Sequence, residues 1–325
     1  MSCEIGSNPC ALIVGVSGQD GAYLSKFLID KGYDVFGTSR DLHKASFLGL
    51  KYLGVHSQVN QVEMDPCDFE SVYKIISSIQ PHEVYNLAAQ SSVGLSFMQP
   101  AETIRSITLP TLNILETIRL LKKSTKFYNA GSGEVFGETM GRRADETSGF
   151  NPVSPYGVAK AAATHQVAMY RNIYGLHACT GILFNHESTL RPDTYVTKKI
   201  ISAACRIGDG SREKLELGNI NICRDWGFAP EYVDAMWKML QIEKPQDFVI
   251  ATGNSESLKY FVEQAFLYFD LNWEDHVIVE SNLMRPAEIE IGSANPSKAE
   301  KILGWRAKSN LSDLVKNLIR DELSK

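Results

Sequence analysis

The chain lacks any apolar run approaching the roughly 20 residues needed to cross a bilayer. Its first apolar run, Ala11 to Val16, is too short for a signal h-region and follows no basic segment. No membrane partner is expected, and the protein is expected to remain cytoplasmic. Positive charge is also short. Thirty-three Lys plus Arg against 38 Asp plus Glu leave a net charge of −5, which argues against a nucleic-acid groove. Cys3, Cys10, Cys67, Cys179, Cys205 and Cys223 form no C-x-x-C pair and none of the spacings of a zinc site. No metal is therefore expected, and scattered cysteines in a chain this long read as buried thiols in a reducing compartment. Internal repeats and low-complexity tracts are absent too.

What is present suits a packed core. The 325 residues are 44% hydrophobic, enough for one large or two modest domains. Short β-rich runs recur at Ala11–Gly15, Asp34–Thr38, Gln61–Asp65, Glu83–Ala88, Lys126–Ala130 and His177–Phe184. Stretches with helical spacing separate them, such as Tyr23, Phe27, Leu28 and Ile29, or Leu112, Leu115, Ile118 and Leu121. This alternation predicts an α/β fold, a doubly wound parallel sheet of Rossmann type with ligands at the strand carboxyl ends. After Phe184 the pattern loosens, with one more strand-like run at Asp247–Thr252. Residues 1–184 are therefore expected to form a dinucleotide-binding domain to which 227–254 return, with 185–226 and 255–325 making a smaller C-terminal substrate lobe.

The first strand runs into Gly15-Val-Ser-Gly18-Gln-Asp-Gly21 and then a helical pattern from Ala22. Glycines so spaced permit a tight turn, close approach of a pyrophosphate, and packing of the helix on the strand. The second strand ends Gly37-Thr38-Ser39-Arg40 rather than in the acidic residue that binds the ribose of NAD. A guanidinium suits a 2′-phosphate, which favours NADP; Asp41 follows at once and either weakens that preference or pairs with Arg40. Asp65, at the end of the third strand, is placed either to accept from an adenine amino group or to serve as a turn residue.

Tyr156 and Lys160 stand four residues apart, on one face of a helix. A nearby cation favours the phenolate, so the tyrosine can exchange a proton with a substrate hydroxyl. Tyr195 and Lys199 repeat the spacing. Context favours the first pair, which begins a helix after Ser154-Pro155 and follows a strand ending Gly131-Ser132-Gly133-Glu134, whose Ser132 can bond the same hydroxyl. Glu134 adds a second acid/base group. Once hydride removal makes a ketone at a sugar C4, the C5 proton becomes acidic and the C6 hydroxyl can leave, and a carboxyl group that takes the first and protonates the second completes a dehydration.

Together these residues resemble the extended short-chain dehydrogenase/reductase superfamily, and within it the GDP-mannose 4,6-dehydratase family. The likeness covers nearly the whole chain. It includes the glycine loop, Tyr85-Asn-Leu-Ala-Ala-Gln90, Ser154-Pro-Tyr-Gly-Val-Ala-Lys160, Asn185-His-Glu-Ser188, Leu217-Gly-Asn219, Arg224-Asp-Trp-Gly227, Arg285-Pro-Ala-Glu288 and Leu303-Gly-Trp305. By this resemblance NADP is the implied cofactor, held by Gly15, Gly18, Gln19, Asp20, Gly21, Arg40, Asp65, Leu87 and Ala88 with Tyr156 and Lys160. The implied catalytic set is Ser132, Glu134, Tyr156 and Lys160. A GDP-mannose substrate would be held by Asn185, Glu187, Lys199, Arg224, Arg285 and Glu288, and a homodimer or homotetramer would form through the helix bearing Tyr156 and its neighbour.

The chain also departs from that pattern. Arg40-Asp41-Leu42-His43 lacks the second arginine and following serines of the family, and Ser148-Gly149 replaces its proline-containing approach to the catalytic helix. Gly133 replaces a serine or aspartate and is expected to loosen the Ser132–Glu134 loop. These differences leave open a related GDP-sugar such as a GDP-heptose. An epimerase or 4-keto reductase is a second reading, although a reductase has no need of Glu134. A non-catalytic NADP-binding sensor is a third, although a sensor is free to lose Tyr156 or Lys160. His186 reads as a packed histidine, Trp226 as core, and Arg224 either as a substrate ligand or as a partner of Asp225 or another carboxylate.

Overall fold

A computed structural model describes residues 8–122, 124–283 and 286–324. Strands β1 (Cys10–Val14), β2 (Asp34–Ser39), β3 (Val59–Glu63), β4 (Glu83–Asn86), β5 (Lys126–Ala130) and β6 (Ala178–Leu183) follow in sequence, then β7 (Asn185–Glu187), β8 (Leu215–Leu217), β9 (Cys223–Phe228), β10 (Phe248–Ile250), β11 (Ser255–Ser257) and β12 (Val277–Val279). Seven of them form one parallel sheet in the order β10-β6-β5-β4-β1-β2-β3. All five residues of β1 are fully buried, as a central parallel strand covered on both faces requires. All seven strands overlap runs anticipated from the sequence, with β3 beginning two residues earlier than expected, at Val59.

The helices are α1 (Gln19–Asp30), α2 (Leu48–Tyr52), α3 (Phe69–Ile79), α4 (Val93–Met98), α5 (Pro100–Leu121), α6 (Pro155–Tyr174), α7 (Val196–Gly208), α8 (Ala229–Gln241), α9 (Leu258–Leu267), α10 (Ser297–Leu303) and α11 (Leu311–Leu323). α1 and α8 pack on one face of the sheet with Leu24, Leu28, Met236 and Leu240, whereas α3, α5 and α6 cover the other with Val72, Ile76, Ile114, Ile118 and Val167. Strand order reverses at β1, where the chain steps outward to β2 on one side and to β4 on the other. A ligand crevice forms outside the strand carboxyl ends at such a switch point.

A second core gathers Ile200, Ile201, Leu217, Trp226, Phe261, Phe266, Leu314 and Leu318 from α7, α9, α11 and the short strands. Its small sheet, β11-β9-β7, places β7 immediately after β6 and so carries this lobe up to the crevice. Ala299, Leu303 and Trp305 join the first core rather than the second, so the 255–325 segment is divided between the two.

Three expectations are corrected. Leu112, taken as part of the apolar face of its helix, points to solvent while Ile114, Leu115 and Ile118 are buried. Cys10 is disulfide-bonded, so not every cysteine is a thiol; Cys179 and Cys205 are buried thiols, and Cys67 and Cys223 half-buried ones. Gly133 does not loosen its loop, because a Cβ there would stand 2.9 Å from the Phe184 ring, against which the backbone is packed.

Candidate active site

The glycine loop is built by contact. Gly15 adopts φ +91°, and a Cβ there would lie 2.8 Å from the Ala88 backbone. A Cβ on Gly21 would lie 2.5 Å from the Gly15 carbonyl oxygen, so only hydrogen at both positions lets α1 close on β1. Gly18 heads α1 without a side-chain cap, which leaves the first-turn N–H groups open toward the crevice and available to an anion.

The crevice is a cavity of about 470 Å³. It is lined by Gly15, Gly18, Gln19, Asp20, Gly21 and Leu87, by Ser132, Glu134, Tyr156 and Lys160, and by Asn185, Glu187, Lys199 and Arg224. Residues far apart in sequence thus share one volume, the dinucleotide loop at one end and the second lobe at the other.

Its chemistry centres on α6. Ser154 caps the helix, its Oγ accepting from the Gly157 N–H at 3.0 Å, and Pro155 opens the first turn. Tyr156 therefore projects from a fixed helix start. Ser132 ends the loop after β5 and accepts from the Glu134 N–H at 3.3 Å. Burial pushes the Tyr156 phenol above its ordinary pKa; the Ser132 hydroxyl bonds to it and opposes the rise, while Tyr195 and Glu134 are near enough to add to it. The expectation that Lys160 would favour the phenolate is therefore outweighed here by desolvation. Lys160 itself is buried, donates to the Ala130 carbonyl at 2.7 Å, and holds Nζ 5.7 Å from the Tyr156 ring centroid. Burial lowers its pKa to about 8, against the pull of the Asp20 carboxylate.

On the lobe side, Arg224 donates to the Ile289 carbonyl at 2.8 Å and pairs with Glu288 at 3.1 Å. Asp225, one of its anticipated partners, instead accepts from the Thr252 and Gly253 N–H groups at 2.8 and 2.7 Å. Lys199 donates to the Glu216 carbonyl at 2.6 Å. Glu187 is held by Arg191 at 3.0 Å and by the Thr197 hydroxyl at 2.6 Å.

Some anticipated residues stand apart. Arg40 is exposed at the end of β2 and does not line the cavity. Asp41 accepts from the His43 N–H and pairs with Lys44 at 2.9 Å. Asp65 is exposed and accepts from the Cys67 N–H at 3.0 Å, the turn role. Ala88 lies beneath Gly15 rather than on the cavity wall. Arg285 lies outside the described residues.

Arg191 and Ser91 also line the cavity and carried no motif. Arg191 packs its guanidinium 4.5 Å over the Tyr195 ring. The Tyr195 hydroxyl meets the Ser91 hydroxyl at 2.6 Å across the cavity, so the second Tyr-x-x-x-Lys match has its tyrosine at the crevice while its lysine turns to Glu216. Only their tertiary positions reveal these residues.

The sequence profile described as GDP-mannose 4,6 dehydratase matches residues 12–318. The chain belongs to the GDP-mannose 4,6-dehydratase family. It is 43% identical over 323 residues to GDP-mannose 4,6 dehydratase 1 of Arabidopsis thaliana, covering 96% of this chain and 89% of that one. Two solved structures share the fold at lower identity. UDP-glucose 4-epimerase of Thermotoga maritima, solved with UDP-glucose, superposes with TM-score 0.86 at 22% identity over 97% of this chain and 99% of its own. dTDP-glucose 4,6-dehydratase of Bacillus anthracis, solved with NAD, gives 0.84 at 17% over 98% and 97%. The latter structure thus holds a nicotinamide dinucleotide in this fold.

Proposed function

We propose that the protein is a GDP-mannose 4,6-dehydratase that forms GDP-4-keto-6-deoxy-mannose and water, with NADP recycled within each turnover. The observation that carries this reading is Glu134 lining the same cavity as Ser132, Tyr156 and Lys160. An oxidation needs only the last three. The uncapped start of α1 and the bare Cα of Gly21 fit a dinucleotide pyrophosphate. Held there by the glycine loop, NADP would supply the redox chemistry, a hydride acceptor for C4 and a hydride donor for C6.

Every other step falls to the chain. Tyr156 takes the proton of the C4 hydroxyl while Ser132 holds that oxygen. Lys160 places a positive charge beneath the developing phenolate, whose buried position makes that charge necessary. Glu134 removes the C5 proton, acidified by the adjacent ketone, and delivers a proton to the departing C6 hydroxyl; the proton that Tyr156 took, exchangeable with solvent, goes to C5 as hydride returns to C6. Residues 1–184 and 227–254 hold the dinucleotide, and 185–226 with 255–325 hold the nucleotide-sugar through Asn185, Lys199 and the Arg224–Glu288 pair. NADP is preferred over NAD because Arg40 follows β2 while Asp41 is engaged with Lys44. Two copies associate through α5 and α6, whose outer faces expose Leu112 and Met169 among other apolar side chains.

A reductase or epimerase of the same fold predicts different labelling. Incubated with GDP-mannose in heavy water and a trace of NADP⁺, the protein is expected to release a 6-deoxy-4-keto sugar with deuterium at C5 and no net reduced cofactor. Glu134→Gln is expected to keep C4 oxidation, seen as reduced-nicotinamide absorbance, while product formation falls by about 10²–10⁴-fold. Product from Glu134→Gln at the wild-type rate, or labelled sugar that keeps its C6 oxygen, contradicts the dehydratase reading.

A further inference from the structure

His186 lies between the two halves of the site and belongs to neither catalytic nor substrate set. Its Nδ1 stands 2.8 Å from the Phe184 carbonyl oxygen and its Nε2 2.9 Å from Asp20 Oδ2. A carbonyl only accepts, so Nδ1 carries a hydrogen. The Asp20 carboxyl is ionised: its other oxygen accepts from Gln19 Nε2 at 3.0 Å, it lies in the first turn of α1, and Lys160 and Arg191 are within electrostatic reach. Nε2 therefore carries a hydrogen as well, and the ring is an imidazolium, stacked 4.6 Å from Tyr232 at 14°. Consistent with this, His186 titrates above its usual value, the Asp20 attraction overcoming burial. Asp20 is held down to about 2, its burial penalty overcome first by the His186 charge.

The position of Asp20 makes the pair consequential. A fixed carboxylate at the head of α1 lines the cavity where first-turn N–H groups are offered to a diphosphate. Arg191 is committed to Glu187 and to the His186 carbonyl, and Lys160 to the Ala130 carbonyl. The imidazolium is thus the direct counter-charge of Asp20. The same contact fastens loop to lobe: Gln19 donates to the His186 carbonyl at 3.2 Å and accepts from the Ser188 hydroxyl at 2.7 Å.

We infer that His186 is a positioning residue that neutralises Asp20, so that the glycine loop can accept the dinucleotide pyrophosphate while tied to the strand bearing Asn185 and Glu187. The inference rests on the reading that this loop holds NADP. Without the imidazolium, the Asp20 anion that faces the incoming phosphates keeps only the more distant Lys160 and Arg191 charges. With both charges removed, the repulsion vanishes.

The test is NADPH affinity, by titration calorimetry or nicotinamide fluorescence, on the full chain and on His186→Gln, Asp20→Asn and the double variant, with circular dichroism as the folding check. His186→Gln is expected to weaken NADPH binding by about tenfold or more. The double variant is expected to recover to within about twofold of wild type, and Asp20→Asn alone to bind no worse than wild type. A merely structural histidine predicts no rescue. His186→Gln binding like wild type, a double variant as weak as His186→Gln, or weakened Asp20→Asn each overturns the inference; the last comparison stands even if His186→Gln fails to fold. A wild type that binds neither NADPH nor NADH overturns the cofactor reading itself, before any variant is needed.

Discussion

Lys160 is an ammonium enclosed by protein, with its pKa brought down from 10.5 to about 8 by burial, opposed by the Asp20 carboxylate. Below about pH 8 the folded and unfolded chains both carry this proton, and the folded state bears the full cost of enclosing it. Between about 8 and 10.5 the unfolded chain still binds the proton while the folded one releases it, so this group's contribution to stability rises with pH across that window. Activity runs the other way. The charge that supports the Tyr156 phenolate is lost over the same window, so kcat/KM for the free enzyme is expected to fall on the alkaline side with an inflection near pH 8. Lys160→Arg is expected to move that limb upward, because a guanidinium stays charged. A profile that stays level well past pH 8 in the wild type contradicts the assignment. That Ser132, Glu134, Tyr156 and Lys160 share one cavity was legible because each sits in a local motif at a strand end or helix start. The sign of the Tyr156 shift was not, since burial is no property of a motif. Nor were Arg191 and the Ser91–Tyr195 contact, whose hydroxyls meet across a separation of 104 residues.

At the scale of elements, the turn bearing Glu134 and the helix bearing Tyr156 are joined at Gly157. A Cβ there would lie 2.8 Å from the Glu134 carbonyl oxygen and 2.9 Å from Pro152 Cβ. Backbone on one side and a proline on the other leave little room to yield. Gly157→Ala is therefore expected to push the Ser132–Glu134 turn away from α6, at a cost of about 1–3 kcal/mol for overpacking, with a disproportionate loss of turnover because acid/base geometry tolerates little displacement. Thermal melting and kcat measured on the same preparation separate the two effects. An alanine variant with wild-type kcat shows that the contact does not set the spacing of Glu134 and Tyr156. The sheet strands were readable from sequence because parallel strands buried on both faces form apolar runs bounded by turns. The three-residue strands β7, β8, β11 and β12 are too short to show a period, and tertiary contacts alone define them.

For the whole molecule, the apolar faces left over after packing are informative. α5 and α6 pack together on the sheet face, with the Tyr170 hydroxyl donating to Glu116 at 2.7 Å. Their outer surfaces nevertheless keep Ile104, Leu112 and Leu120 on α5, and Val158, Met169 and Ile173 on α6, exposed. On α6 the three fall along one side as a stripe; on α5 Ile104 and Leu120 flank Leu112 to either side around the helix, a broader strip interrupted by Thr108 and Glu116, and exposed apolar patches on a surface mark association sites. Leu112, misplaced as a core residue by its periodicity, belongs to this strip. A two-fold axis across the pair would let these surfaces bury one another in a four-helix arrangement, and because Tyr156 starts α6, such an interface would brace that helix. Light scattering on the purified chain is therefore expected to give at least a dimer mass. Leu112→Glu with Met169→Glu is expected to give a folded monomer with turnover reduced but dinucleotide affinity within about twofold of wild type, since no residue of the glycine loop lies on these faces. A monomeric wild type, or a dimer undisturbed by both charges, rules out this face as the interface.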